Sequence, residues 1–249
     1  MLNQIFNEDC LEWMKRIPDG SIDCIITDPP YWTTACKWDS VIPFDLMWEQ
    51  LKRIIKANGA IVLFWSEPFS SALRMSNIKM YKYDWVWEKN NWTWFYDSNI
   101  RPIKIHENIL VFSNYWCSNW TQNKMIYYPQ WLVECWKLWW RWKHNKNWTV
   151  NASKINSYIQ KYMNYPNTIL KFKKDKALYH PTQKPVALIE YLIKTYTNEW
   201  ETVLDFTIGS GTTAIACINT NRNYIGFELD KWYFDIANER IAWKSENKK

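Results

Sequence analysis

The strongest constraint on how this chain folds is an alternation. Short apolar runs rich in β-branched residues take turns with amphipathic stretches of helical period, the pattern of a mostly parallel sheet covered by helices. Ser21–Thr27 reads as a strand ending at Asp28-Pro29-Pro30-Tyr31. A helix is predicted over Phe44–Ala57, stopped by Asn58-Gly59, and Ala60–Phe64 as the next strand. Glu67–Ile78 reads as a helix, followed by strands Tyr83–Glu88 and Asn108–Phe112. The C-terminal third continues with helix Pro185–Thr197, strand Thr202–Asp205, a helix from about Gly211 to Thr220, strand Tyr224–Glu228 and a closing helix from Lys231 to about Ser245. At 249 residues there is room for one such α/β domain and a modest insertion.

The middle of the chain breaks the alternation. From Lys137 to Lys176 ten Lys or Arg face a single acid, Asp175, so this segment carries +9 in a chain of net charge +6. Tyr158, Tyr162, Tyr165 and several asparagines are interleaved with the charge, a composition suited to phosphate neutralisation with stacking. Its plainer reading is a solvated lysine-rich insertion. No run of eighteen apolar residues and no basic-then-apolar leader is present, so a soluble, cytoplasmic protein without a membrane partner is expected. Six scattered cysteines without a C-x-x-C pair, and three histidines, predict reduced thiols and no metal.

One count is abnormal: 20 Trp against 5 Gly, where ordinary usage, about 7%, would give roughly 17 glycines. Trp92, Trp94, Trp200 and the run Trp139-Trp140-Arg141-Trp142 sit in polar, turn-like stretches where glycine is the usual residue. We read Trp32, Trp65, Trp92 and Trp200 as glycine codons rendered as tryptophan, as follows when a stop codon is reassigned. The alternative is a Trp-rich chain that stacks indoles on bases. Trp38, Trp48, Trp85 and Trp87 lie in apolar or aromatic surroundings and read as genuine.

Three constellations carry chemistry. Asp28-Pro29-Pro30-Tyr31 closes a buried strand. An aromatic exocyclic amine is a poor nucleophile, and a carboxylate beside a carbonyl can accept its two N–H bonds and stabilise the positive charge that develops on attack. Asp28 supplies the carboxylate, Pro29 the carbonyl, and Tyr31 a face for a planar base. The second is Val203-Leu204-Asp205-Phe206-Thr207-Ile208-Gly209-Ser210-Gly211-Thr212-Thr213-Ala214, a strand, a glycine turn and a helix start at which a nucleoside cofactor can approach the backbone. Glu228 ends the next strand, placed to accept from ribose hydroxyls. G-x-G-x-x-A also fits a nicotinamide cofactor, although Asp205 would repel a pyrophosphate and suits an ammonium group. The third, His180-Pro181-Thr182-Gln183-Lys184-Pro185, leads into a helix N-terminus fit to hold a carboxylate, or is a plain helix-entry loop.

Taken in this order, the motifs resemble the β-group of DNA amino-methyltransferases, which includes adenine-N6 and cytosine-N4 enzymes of restriction–modification systems. The resemblance covers most of the chain. It implies a three-layer, Rossmann-like α/β fold with a seven-strand sheet and permuted motif order. Residues 1–114 and 177–249 would form the catalytic and cofactor domain, and 115–176 an inserted target-recognition region. It implies S-adenosylmethionine as cofactor and double-stranded DNA as partner, with a homodimer and a cognate restriction endonuclease as further candidates. Asp28, Pro29 and Pro30 would form the catalytic motif, with Tyr31 on a flipped base. Asp205, Phe206, Gly209, Gly211, Thr212 and Thr213 would surround the methionine moiety, Glu228 the ribose, Thr182 and Lys184 the cofactor carboxylate. Asp9, in a segment resembling the family's strand-3 motif, would lie near the adenine. Arg141, Lys143, Lys146, Lys154, Lys171, Lys173 and Lys174 are the candidate DNA contacts. An aspartate ahead of Pro-Pro-Tyr leans toward adenine N6. A catalytically inactive DNA-binding relative, an RNA or protein amino-methyltransferase and an NAD-dependent oxidoreductase are the competing readings.

Overall fold

The computed structural model describes residues 1–30, 42–93, 98–141, 156–177 and 179–247. Two compact units emerge, one of residues 1–128 and 168–249, the other of 129–167.

In the larger unit the order is β1 (Gln4–Phe6), α1 (Cys10–Met14), β2 (Ile22–Thr27), α2 (Phe44–Ile54), β3 (Ile55–Trp65), α3 (Phe69–Ser76), β4 (Tyr81–Thr93) and β5 (Lys104–Phe112). In the smaller unit, β6 (Val133–Arg141) and β7 (Asn156–Met163) pair as an antiparallel two-stranded sheet. The larger unit resumes with β8 (Ile169–Lys171), α4 (Val186–Tyr196), β9 (Thr202–Asp205), α5 (Thr212–Thr220), β10 (Asn223–Phe227) and α6 (Lys231–Glu246). Among the described residues no helix is long and apolar enough to cross a membrane.

The main sheet runs β1-β10-β9-β2-β3-β5-β4-β8. Its first five strands are parallel, β5 is antiparallel to both β3 and β4, and β8 joins β4 in parallel. The sheet has eight strands rather than the expected seven, because the three residues of β8 extend its edge. Strand faces explain the three layers. On β3, Ala60, Val62 and Phe64 pack with α4 and α5 in one core, while Ile61, Leu63 and Trp65 pack with α1 and α2 in the other. All six residues of β2 are buried, as a strand covered on both faces requires.

Several expectations need correction. Helix α2 stops at Ile54, and Asn58-Gly59 lies inside β3 rather than at a helix end. Gly59 is needed there by contact: a Cβ would sit 2.6 Å from the carbonyl oxygen of Asp23 on the neighbouring strand. The segment around Asp9 is not a strand; β1 ends at Phe6, and the Asp9 carboxylate caps α1 by accepting from the amides of Leu11 and Glu12. The expected insertion, 115–176, is wider than the compact unit 129–167, since β8 belongs to the main sheet.

The tryptophans divide. Trp13, Trp48, Trp85 and Trp87 are core residues, and so is Trp65, 2% exposed with its ring edge-on to Phe44, where a small residue was expected. Trp131, Trp136 and Trp200 are exposed and hold φ of 62°, 46° and 67°. That left-handed region costs a residue with a Cβ about 1–2 kcal/mol and is glycine's natural territory. Trp32 and Trp94 lie outside the described residues.

Candidate active site

The sheet's connectivity chooses the place. From β9 the chain proceeds through α5 to β10 on one side, and from β2 through α2 to β3 on the other, so the two directions part between β9 and β2. Open α/β sheets hold ligands beyond the carboxyl ends of the strands at this point. The register Cys24 to Val203 and Ile25 to Leu204 sets the ends of both strands side by side. One cavity there is lined by Asp9, Thr27, Asp28, Pro30, Thr182 and Lys184 from one part of the sequence order, and by Asp205, Phe206, Gly209, Thr212, Thr213 and Glu228 from the other. Thus most residues singled out from sequence converge. Pro29 is buried beside the cavity, and Gly211 stands behind it. Gly211 holds φ +82°, and a Cβ on it would meet that of Ala237 on α6 at 3.0 Å. Tyr31 lies outside the described residues.

Asp205 is fixed by neutral donors. Its Oδ1 accepts from Thr27 Oγ1 at 2.7 Å and the Thr207 amide at 3.2 Å, and its Oδ2 from Thr213 Oγ1 at 2.5 Å. Burial outweighs these bonds and pushes its carboxyl up to about 6. Glu228 accepts from the Gly209 amide at 2.8 Å and the Asp230 amide at 2.9 Å, which pins the glycine turn to the end of β10. Burial raises its carboxyl as well. Each of its oxygens keeps a lone pair for a ligand hydroxyl.

Asp28 is held differently. Its Oδ2 accepts from Lys184 Nζ, while its Oδ1 is buried with no hydrogen-bond partner among the described residues. Its backbone carbonyl accepts from Thr207 Oγ1 at 3.2 Å, tying the tip of β2 to the glycine turn. Burial pushes the Asp28 carboxyl up to about 6 against the pull of Lys184. Lys184, expected beside the cofactor's carboxylate, thus bonds Asp28 while lining the same cavity. Behind it stand two residues missed in the sequence: Glu107, whose Oε2 is 3.4 Å from Lys184 Nζ, and Lys89, which donates to Glu107 Oε1. Burial would raise Glu107, but Lys184 and Lys89 outweigh it and hold it down to about 2.

The loop ahead of α4 is tied at both ends. Gln183 accepts from the Tyr179 amide at 3.0 Å and from Ser210 Oγ at 3.3 Å, and donates to Asp175 at 3.1 Å. Asp175, the lone acid of the basic segment, also accepts from the amide of Val186 in the first turn of α4. His180 accepts at Nδ1 from the Thr182 amide at 3.2 Å; burial and then Lys184 hold its ring down to about 4, so it is neutral.

The candidate DNA contacts are less gathered. Lys171 on β8 pairs with Glu88 at 3.1 Å, Lys173 is exposed, and Lys174 is half-buried. Arg141 ends β6, and Lys143, Lys146 and Lys154 lie outside the described residues.

Known proteins agree with this layout. The type II methyltransferase M.HpaI of Haemophilus parainfluenzae is 29% identical over 97% of this chain and 74% of its own length. The DNA adenine methyltransferase YhdJ of Escherichia coli is 25% identical over 95% of this chain and 82% of its own length. The crystal structure of the M1.HpyAVI–SAM complex superposes with a TM-score of 0.63 at 28% identity, covering 96% of this chain and 98% of that one. Residues 22–239 match the N6_N4_Mtase family, described as DNA methylase. With that match and with Asp28, Asp205 and Glu228 around one cavity, the chain belongs to this family of DNA amino-methyltransferases.

Proposed function

We propose that this protein transfers a methyl group from S-adenosylmethionine to N6 of an adenine flipped out of duplex DNA. The observation that carries the reading is the buried, unpartnered Oδ1 of Asp28 on the cavity that Asp205 and Glu228 also line. The residues fit the cofactor: Asp205 keeps its charge without a counter-ion bonded to it and suits an ammonium group, and Glu228 suits ribose hydroxyls. S-adenosylmethionine supplies a methyl group already activated on a sulfonium.

The rest falls to the chain. Asp28 Oδ1 and the Pro29 carbonyl accept the two N–H bonds of the amine, favour a pyramidal nitrogen and stabilise its developing positive charge. The N–C bond would form as the methyl–sulfur bond breaks and leaves its electron pair on sulfur, and one amine proton passes to Asp28 Oδ1 and on to water. Lys184 keeps the other oxygen of Asp28 occupied, so the amine meets one defined acceptor. We assign sequence recognition to the unit 129–167, whose lysines and arginine suit the DNA backbone. The Asp-Pro-Pro-Tyr form of the motif and the likeness to an adenine methyltransferase support adenine over cytosine.

The test is incubation with methyl-labelled cofactor and genomic DNA, followed by nucleoside analysis, on the chain as it stands and with Trp32, Trp92, Trp94 and Trp200 changed to glycine. N6-methyladenine is expected. N4-methylcytosine would move the target base, label in RNA alone would move the substrate, and cofactor binding without transfer to any acceptor would overturn the reading.

A further inference from the structure

Four buried charges of alternating sign run from the cavity into the antiparallel side of the sheet. They are Asp28 at the tip of β2, Lys184 ahead of α4, Glu107 on β5 and Lys89 on β4, with side chains 18%, 8%, 10% and 11% exposed. Burying ions is costly even when they are paired, and a single pair or an apolar filling would serve packing as well. The arrangement constrains Lys184. Its ammonium donates to Asp28 Oδ2 and, at 3.3 Å, to the Thr182 carbonyl, and stands 3.4 Å from Glu107 Oε2. Glu107 is in turn held from behind by Lys89, whose ammonium lies over the Trp87 ring. Lysine is a compact point charge on a flexible stem, and beside a lone carboxylate it can settle across both oxygens. Here it is shared with Glu107 and bonds one oxygen of Asp28 only, while the other has no donor among the described residues.

We propose that Glu107, backed by Lys89, is a positioning residue for methyl transfer: it restrains Lys184 on Oδ2 of Asp28 and thereby keeps Oδ1 open for the amine. This inference rests on the methyl-transfer reading, in which Oδ1 of Asp28 is the acceptor. Neither Glu107 nor Lys89 lines the cavity, so each acts through Lys184. The charged groups acting on Asp28 are Lys184, which lowers its carboxyl, and Glu107 and Asp205, which raise it. Around Glu107 and Lys184 stand Lys89, Lys104, Lys174 and His180.

The test removes the restraint without leaving a net charge, in the double variant Glu107→Gln with Lys89→Met. Lys184 then lies across both oxygens of Asp28. The plateau kcat is expected to fall at least about tenfold, with DNA KM and cofactor affinity within about threefold of the unmodified protein. The Asp28 carboxyl, followed by 13C NMR and assigned by its loss in Asp28→Asn, is expected to titrate about one unit lower. A purely structural pair would change thermal stability and leave the plateau kcat in place, whatever the loss of the Glu107 charge does to the Asp28 midpoint. A plateau within about threefold, or an unmoved Asp28 midpoint, overturns the proposal. If Glu107→Gln alone unfolds, the charge-balanced double variant still decides. If the unmodified protein transfers no methyl group at all, the functional reading fails; transfer by the unmodified protein with an unchanged plateau in the double variant fails this proposal alone.

Discussion

Asp28 and Asp205 end adjacent strands, are both buried and are both pushed up to about 6, yet the protein holds them by opposite means. Around Asp205 every bonded donor is a hydroxyl or an amide, so its position is fixed and its charge is left uncancelled. At Asp28 a buried ammonium cancels the charge from one side and the second oxygen is left bare. Neutral donors make a carboxylate that attracts a cation. A counter-ion on one oxygen leaves the other as the single place at which a neutral amine can donate a hydrogen bond. In the proposed reading, the same residue type thus suits two ligand groups because its partners differ.

The sharpest way to break this contrast is Asp28→Ala. Transfer should fall at least about a thousandfold while cofactor affinity stays within about threefold; an active variant, read by label incorporation, would remove Asp28 from the chemistry. Asp205→Asn should do the reverse, weakening cofactor binding by calorimetry about tenfold to a hundredfold, ~1.5–3 kcal/mol, with kcat at saturating cofactor retained. A loss confined to kcat would merge the two roles. Acid sharpens the comparison further. Asp28 must be ionised to accept, so kcat should fall below about pH 6. For stability the sign is set by proton counts: between about pH 4 and 6 the folded protein keeps protons on Asp28 and Asp205 that the unfolded chain has released. These two groups therefore make stability decline as pH rises through that window. Glu107 acts oppositely, its contribution present above its ordinary value and lost as pH falls toward 2. Chemical denaturation of Asp205→Asn should show a flatter decline between pH 4 and 6.

The smallest effect is expected farthest away. Trp200 is exposed at φ 67° in the turn before β9. Trp200→Gly should raise stability by about 1 kcal/mol, relieving the left-handed strain against the added freedom of the unfolded chain. It should leave kcat and cofactor affinity alone, and a change in either would mean that the strand tips respond to general tightening of the fold.

Much of this was legible in the sequence because it depended on local order. The β–α alternation, Asp28 after a buried strand, Asp205 ahead of two glycines and Glu228 at the next strand's end each carry their own context. Glu107 carried none: it is one acid in an otherwise ordinary strand, and its partners Lys89 and Lys184 lie 18 and 77 positions away, joined only by folding. Asn58-Gly59 read as a helix stop because glycine usually punctuates; the requirement was the Asp23 carbonyl on a strand not yet visible. The β6–β7 pair was hidden by its own composition, since lysines and tryptophans crowd out any polar-apolar alternation. Trp65 read as a glycine codon rendered as tryptophan, yet the pairing of β3 with β5 carries it into the core.

The contact between Thr27 and Asp205 spans 178 positions. A ribosome delivers the first half of that contact long before the second, so an unfinished product holds the tip of β2 with no facing wall of the cavity.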